Sequence, residues 1–249
     1  MKIVKPYTEI LTPIDRDSIL KHIELCGRTC YKSEDLIMEE SCYSFAKKLI
    51  ARNHESVLEH VSISVKFVCD RGVSHEIVRH RLASYSQEST RYCNYSKDKF
   101  GTEITVIEPC FLSRNTDGWM LWEEGCLAAE MAYFNLLNYG CTPEEARSVL
   151  PNSLKTELVM TANIREWRHF FKLRCASAAH VQMREVAIPL YKNFANALPE
   201  LFGDIGWEKR LCSAYNSCEP YKKDFRPNCG TKTEKTKKMN MEMDYEKTV

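Results

Sequence analysis

Between residues 61 and 67 the chain alternates in polarity: Val61, Ile63, Val65 and Phe67 are apolar, while Ser62, Ser64 and Lys66 are polar. Period two with β-branched residues predicts a half-buried strand. Most of the remaining apolar positions fall at helical spacing. Asp15 or Asp17 is placed to cap a helix over 18–30, and Ser33 one that reaches about Arg52. After Gly72 a short helix carries Ile77, Val78 and Leu82, Glu103–Ile107 forms a second strand, and 118–138 a long helix. Thr142-Pro143-Glu144-Glu145 has cap, first-turn proline and acidic first turn in order, so a helix starts there and stops before Pro151. Leu154–Thr161 reads as a strand, Asn163 caps a helix through Arg174, and 178–197 is helical. This order lacks a regular strand-helix-strand alternation. It predicts an α+β domain, mixed helices around a central antiparallel or mixed sheet.

Composition adds bounds rather than chemistry. A chain of 249 residues accommodates one large domain or two small ones. The segment after about Lys222 shifts to Lys, Glu and Thr with almost no branched aliphatics, which predicts a single domain over 1–221 and a flexible polar tail over 222–249. The Lys235–Lys238 cluster reads as part of that solvated tail. A net charge of +1 excludes a basic nucleic-acid coat, so any anion site must come from locally clustered arginines. No apolar run is long enough to span a membrane, and the first ten residues lack a signal-peptide core, so a cytoplasmic protein is expected. Twelve cysteines in that compartment are expected to be reduced thiols. There is no CxxC pair, and Cys212, Cys218 and Cys229 stand far apart with no histidine nearby, so no metal site is expected.

Two arginine clusters stand out. In the segment 79–92, Arg79, His80, Arg81 and Arg91 lie beside Ser84, Ser86, Gln87, Ser89 and Thr90, a donor-rich patch that suits phosphate oxygens. On a helix over 163–174, Ile164, Trp167, Phe170 and Phe171 form one face, with Arg165, Arg168 and His169 opposite. Arg174 falls about 20° from Trp167, on the apolar side. There an unpaired guanidinium costs several kcal/mol and requires a carboxylate or a ligand.

Arg79-His80-Arg81, seven residues and then Ser89 resembles the signature of the flavin-dependent thymidylate synthases. The resemblance extends to His54-Glu55-Ser56 with Glu59-His60, to Arg147 before Leu150-Pro151, and to Asn163-Ile164-Arg165, His169 and Arg174, and so covers about residues 1–200. It implies methylation of dUMP to dTMP, with methylenetetrahydrofolate as one-carbon donor and NADPH as reductant acting through FAD. It assigns Ser56, Arg79, His80, Arg81, Gln87, Asn163, Arg165 and His169 to FAD. Glu76, Ile77, Val78, Arg79, Gln87, Glu88, Ser89, Thr90, Arg91, Arg147 and Arg174 go to dUMP. His54 becomes a flavin-side catalytic residue. Arg174 is the group expected to activate uracil by stabilising its ionised form, with no enzyme nucleophile at C6. Gln87 replaces a glutamate of many members, Ser86 an asparagine, Glu76 a glutamine of some, and His169 an asparagine. Gln87 can exchange hydrogen bonds but carries no charge. His22, His60, His75 and His180 are assigned to structure.

The resemblance also implies a homotetramer. Arg165 and Arg174 are nine residues apart, which places them on opposite sides of a straight helix, yet both are assigned to ligands that touch. Sites shared between subunits reconcile the two. Two other classes fit parts of the pattern. A serine or cysteine hydrolase would use Ser89 or Cys93 with His80 but shows no orienting third residue. A non-catalytic nucleotide or RNA binder would use the arginines with Tyr85, Tyr92 and Tyr95 as stacking surfaces.

Overall fold

The computed structural model describes residues 1–96 and 101–205. The tail, the boundary at 221/222, the lysine cluster and Cys212, Cys218 and Cys229 lie outside the described residues.

The described residues form six strands: β1 (Lys2–Val4), β2 (Tyr7–Ile10), β3 (Ser62–Asp70), β4 (Ala83–Gln87), β5 (Thr105–Ile107) and β6 (Lys155–Asn163). β1 and β5 form a parallel pair, and the other four form an antiparallel sheet in the order β2-β3-β6-β4. The helices are α1 (Arg16–Thr29), α2 (Ser41–Ala51), α3 (Arg71–Ile77), α4 (Asp117–Asn138), α5 (Pro143–Ala146), α6 (Ile164–Arg174), α7 (Val181–Ala197) and α8 (Pro199–Phe202). The architecture is α+β. No described helix is long and apolar enough to cross a membrane.

The alternation that marks β3 in the sequence sets the layers. Ile63, Val65 and Phe67 point with Leu158, Met160 and Ala162 of β6 into the main core, against α1, α2, α6, α7 and α8. The other face carries Ser64, Lys66, Glu157 and Thr161, with Ser64 Oγ 2.8 Å from Thr161 Oγ1 and Lys66 Nζ 2.8 Å from Glu157. Trp167 is the centre of the core. It stacks on Phe67 and Phe171, meets Phe170 edge-on, and donates its indole N–H to the Ile63 carbonyl at 3.0 Å. α1 and α2 approach closely at Gly27, where a Cβ would lie 2.7 Å from the Phe45 ring. A second cluster, Tyr95, Ile104, Val106, Cys126, Tyr133, Ala146 and Leu154, packs α4 and α5 on the β1–β5 pair.

Several boundaries differ from the sequence reading. Asp15 caps α1, as its side chain accepts from Ser18 N, and the helix begins at Arg16. Ser33 caps no long helix: a single 3-10 turn, Glu34–Leu36, precedes α2, which starts at Ser41 without a side-chain cap. α3 ends at Ile77, and Leu82 sits exposed in the turn before β4. The helix begun by the Thr142 capping box is one turn, continued by a 3-10 turn over Arg147–Val149. β1, β2 and β4 have no counterpart in the sequence reading. Each is short, and their pairing partners rather than their own patterns define them. Arg168, assigned by helical spacing to the polar face, is buried. It lies between the two layers, where Glu55, Asp204 and the Leu201 carbonyl receive its guanidinium.

Trp167 combines contacts to four aromatic rings with a buried hydrogen bond. Trp167→Ala is expected to destabilise the chain by about 3–5 kcal/mol, read as a lowered midpoint in urea unfolding.

Candidate active site

Strand register collects the candidate residues. Ser62 pairs with Asn163 and Ala83 with Ala162, so the starts of β3 and β4 and the end of β6 meet at one end of the sheet. The 3-10 helix Glu55–His60 enters β3 there, with His54 as its N-terminal neighbour, and α6 leaves β6 there under the Asn163 cap, whose Oδ1 accepts from Glu166 N at 2.8 Å. His54, Ser56, Arg79, Arg81, Arg165 and His169 are all exposed. Arg165 pairs with Glu59 at 2.5 Å, two half-exposed partners. This end of the sheet therefore gathers three exposed arginines with hydroxyl and imidazole groups.

At the other end, Gln87 closes β4. Its Nε2 donates to Ser74 Oγ at 3.0 Å and to Thr156 Oγ1 at 3.2 Å, so the amide ties α3 to the sheet. Glu88 follows, bound by Lys155 at 3.2 Å and by the Tyr95 hydroxyl at 3.3 Å. Ser89 then turns the chain: its carbonyl accepts from Cys93 N at 2.9 Å and its Oγ from Arg91 N at 3.3 Å. Arg147 donates to Thr90 Oγ1 at 3.3 Å, and the Glu144 carboxylate lies 2.9 Å from Arg91 and 3.9 Å from Arg147. Two guanidinium groups thus share one exposed carboxylate beside the Ser89 turn.

Between the ends lies a polar knot in which His80 and Glu166 are buried and Glu76 and Arg174 partly exposed. Arg174 donates from Nε to His80 Nε2 at 3.0 Å, from Nη1 to the Glu76 carboxylate at 3.0 Å and from Nη2 to the Glu76 carbonyl at 2.8 Å. His80 Nδ1 lies 2.8 Å from Glu166 Oε1. Because the arginine Nε–H can only donate, Nε2 must accept, and the ring proton is on Nδ1, donated to Glu166. Burial holds the His80 imidazole below its usual range; the Glu166 carboxylate opposes this and the Arg174 cation reinforces it. Tyr85 closes the knot from β4, its hydroxyl 2.6 Å from the His80 carbonyl and 3.0 Å from that of Ile77, and burial pushes its phenol up to about 12. Of the five N–H groups of Arg174 three are engaged, leaving one on each terminal nitrogen. Val78 is half-buried, and Ile77 is fully buried beneath the knot.

Among the described residues, His80, Glu166 and His169 have the spacing of metal ligands. Both His80 nitrogens are engaged, however, one by a guanidinium, and a cation there would face Arg174. The arginine occupies the role that a metal would take. The nine described cysteines are free thiols, and burial pushes those of Cys69 and Cys175 up, the latter to about 12, so they stay protonated.

The structure brings Glu76, His80 and Arg174 together, and separately Ser89, Thr90, Arg91 and Arg147. Among the described residues no hydrogen bond or ion pair joins the two groups. Arg165 and Arg174 contact different elements, the Glu55–His60 turn and α3, from opposite sides of α6. The sequence reading did not single out Glu166, named Tyr85 only as a stacking surface of the nucleotide-binder alternative, and took Glu144 only as part of an acidic first turn. Glu166 sits three residues after the Asn163 cap, where an acidic residue normally closes a capping box. Here only its backbone serves the cap, and its carboxylate goes to His80.

The family described as thymidylate synthase complementing protein matches residues 14–200. Among curated relatives, the flavin-dependent thymidylate synthase of Geobacter sulfurreducens is 34% identical over 191 residues, 74% of this chain and 81% of its own. Those of Pyrococcus furiosus (31% over 216 residues, 86% and 87%) and Mycobacterium tuberculosis (32% over 200 residues, 73% and 78%) are similar to it over comparable spans.

The Tyr85 hydroxyl serves the two carbonyls that shape the turn into β4. Tyr85→Phe is expected to cost about 1–3 kcal/mol, measured by chemical unfolding, with the fold retained by circular dichroism.

Proposed function

The chain belongs to the thymidylate synthase complementing family, that of the flavin-dependent thymidylate synthases, and on that premise we propose that it converts dUMP to dTMP by reductive methylation. Methylenetetrahydrofolate supplies the carbon and NADPH the reducing equivalents, leaving tetrahydrofolate and NADP+. The observation that carries this reading is Arg174, fixed by His80 and Glu76 with one N–H free on each terminal nitrogen. That pair matches the N3 and carbonyl edge of a pyrimidine, and a guanidinium there stabilises ionised uracil and moves electron density to C5.

The exposed arginines at the first end of the sheet suit a pyrophosphate, and with Ser56, His54, Asn163 and His169 they are the residues that would hold FAD. FAD, when bound, supplies the hydride chemistry; the protein supplies placement and charge. Gln87 and Glu88 connect this region to the Ser89 turn, where Ser89, Thr90, Arg91 and Arg147 would receive the substrate phosphate in place of the Glu144 carboxylate. Ser89 acts as a binding residue. Its Oγ accepts from Arg91 N, and no base partners it among the described residues.

No hydrogen bond or ion pair joins the two dUMP groups among the described residues, and Arg165 and Arg174 leave α6 on opposite sides, which supports sites completed by a second subunit in a homotetramer. α4 also turns Met120, Leu121 and Met131 outward at 50%, 69% and 62% exposure, an apolar face that self-association would cover.

Anaerobic incubation with dUMP, methylenetetrahydrofolate and NADPH should yield dTMP, detected by chromatography; a colourless protein that takes up no FAD and makes none would favour the nucleotide binder. Arg174→Lys keeps the charge but loses the fork. Its turnover should fall about tenfold or more, while flavin absorbance per chain is retained. Arg91→Ala and Arg174→Ala, each nearly inactive alone, should regain partial activity when co-expressed as mixed oligomers, since some sites then carry neither lesion. Mixtures with proven subunit exchange that stay at the single-mutant level would place both arginines in a site made by one chain.

A further inference from the structure

The ring of His80 is contacted mostly from α6. Glu166 is at Nδ1, Arg174 Nε at Nε2, the His169 ring 5.6 Å away and the Phe170 ring 4.9 Å away. From β4, Tyr85 holds the His80 carbonyl, and from α3, Glu76 binds the same guanidinium as the ring does. Moving the ring proton to Nε2 would set a donor against the Arg174 Nε–H and leave the Glu166 carboxylate facing a bare nitrogen. Both contacts would turn repulsive at once, so the tautomer is locked from two sides. Protonating both nitrogens keeps the Glu166 bond but destroys the acceptor for Arg174 and places two cations in contact.

We propose that Glu166 and His80 are positioning residues for Arg174: Glu166 fixes His80 as the neutral Nδ1–H tautomer, whose Nε2 lone pair holds the guanidinium in register, and protonation of His80 releases it. The inference rests on the proposed contact of Arg174 with uracil. It adds that dUMP recognition is gated by a histidine that itself need not touch the substrate. Burial already favours the neutral ring. As pH falls the gate opens only when the proton overcomes both burial and the neighbouring guanidinium, and the Glu166 charge sets how acidic that point is.

The test uses the full-length, flavin-loaded protein. Ring-nitrogen NMR of His80, without substrate, should show the Nδ1–H form at neutral pH. Calorimetric dUMP affinity should fall on the acid side. Glu166→Gln keeps an oxygen that accepts from Nδ1 but removes the charge that favours the imidazolium, so both the His80 titration and the acid limb of dUMP affinity should move to lower pH. The dUMP phosphate titrates identically with both proteins, so the difference between them is the readout. Glu166→Leu, which leaves Nδ1–H without an acceptor, should weaken dUMP affinity about tenfold at neutral pH. A purely structural Glu166 would lower the unfolding midpoint without moving the acid limb. The Nε2–H tautomer in the unmodified protein, or an acid limb unmoved in Glu166→Gln, overturns the proposal. If Arg174→Lys loses dUMP affinity while that limb stays fixed, the gate fails and the uracil contact stands. If Arg174→Lys binds dUMP normally, both fail.

Discussion

The antiparallel ladder between β3 and β6 is the constraint on which the molecule depends. Nine residue pairs, from Ser62 with Asn163 to Asp70 with Lys155, fix which side of the sheet is apolar and which chain segments meet at each end. A slip of one residue would turn Ile63, Val65 and Phe67 out of the core and send Lys66 in. Both strands run directly into helices that they also cap, β3 through Asp70, whose Oδ1 accepts from Val73 N at 2.7 Å, and β6 through Asn163. The ladder therefore sets the direction of α3 and α6, and the polar knot is the place where those two helices meet the turn into β4.

Two arginines on one helix show how placement divides scaffold from chemistry. Arg168 gives its Nε–H to Glu55, both terminal nitrogens to Asp204 and a further bond to the Leu201 carbonyl, so four of its five N–H groups are committed. Replacing it would take the guanidinium from Asp204 and leave Glu55 with Lys172 alone, at 3.7 Å. Arg174 is partly exposed and commits only three, and the two left over are what distinguish a group that can accept a ligand from one that holds a fold.

The sequence shows β3 and α6 clearly because alternation and an Asn cap are local signals. It also shows that Arg174 needs a carboxylate or a ligand, because the helical wheel places that guanidinium among aromatics, and the structure supplies the carboxylate of Glu76. Arg168 is misplaced by the same wheel. The wheel assumes that only the sheet-facing side is buried, whereas the segment around Leu201–Asp204 covers the other. β4 is invisible in advance because Ala-Ser-Tyr-Ser-Gln offers little apolar pattern, and its strand character comes from pairing with β6. Glu166 is hidden by appearing to belong to a cap. The resemblance carried by Arg79-His80-Arg81 and Ser89 supplies the candidate residues together, but not their distribution along the sheet, which only the strand register reveals.

The passage from β6 to α6 contains no loop: Asn163 is both the last strand residue and the helix cap. An inserted residue there would rotate every side chain of α6 by about 100° relative to the sheet. Trp167 would leave the core, Glu166 would leave His80 and Arg174 would turn away from Glu76. Deletion would do the same in the opposite sense. Length at this point is thus under far tighter constraint than residue identity. The strand-helix joint tolerates a change of side chain more readily than a change in the count of residues.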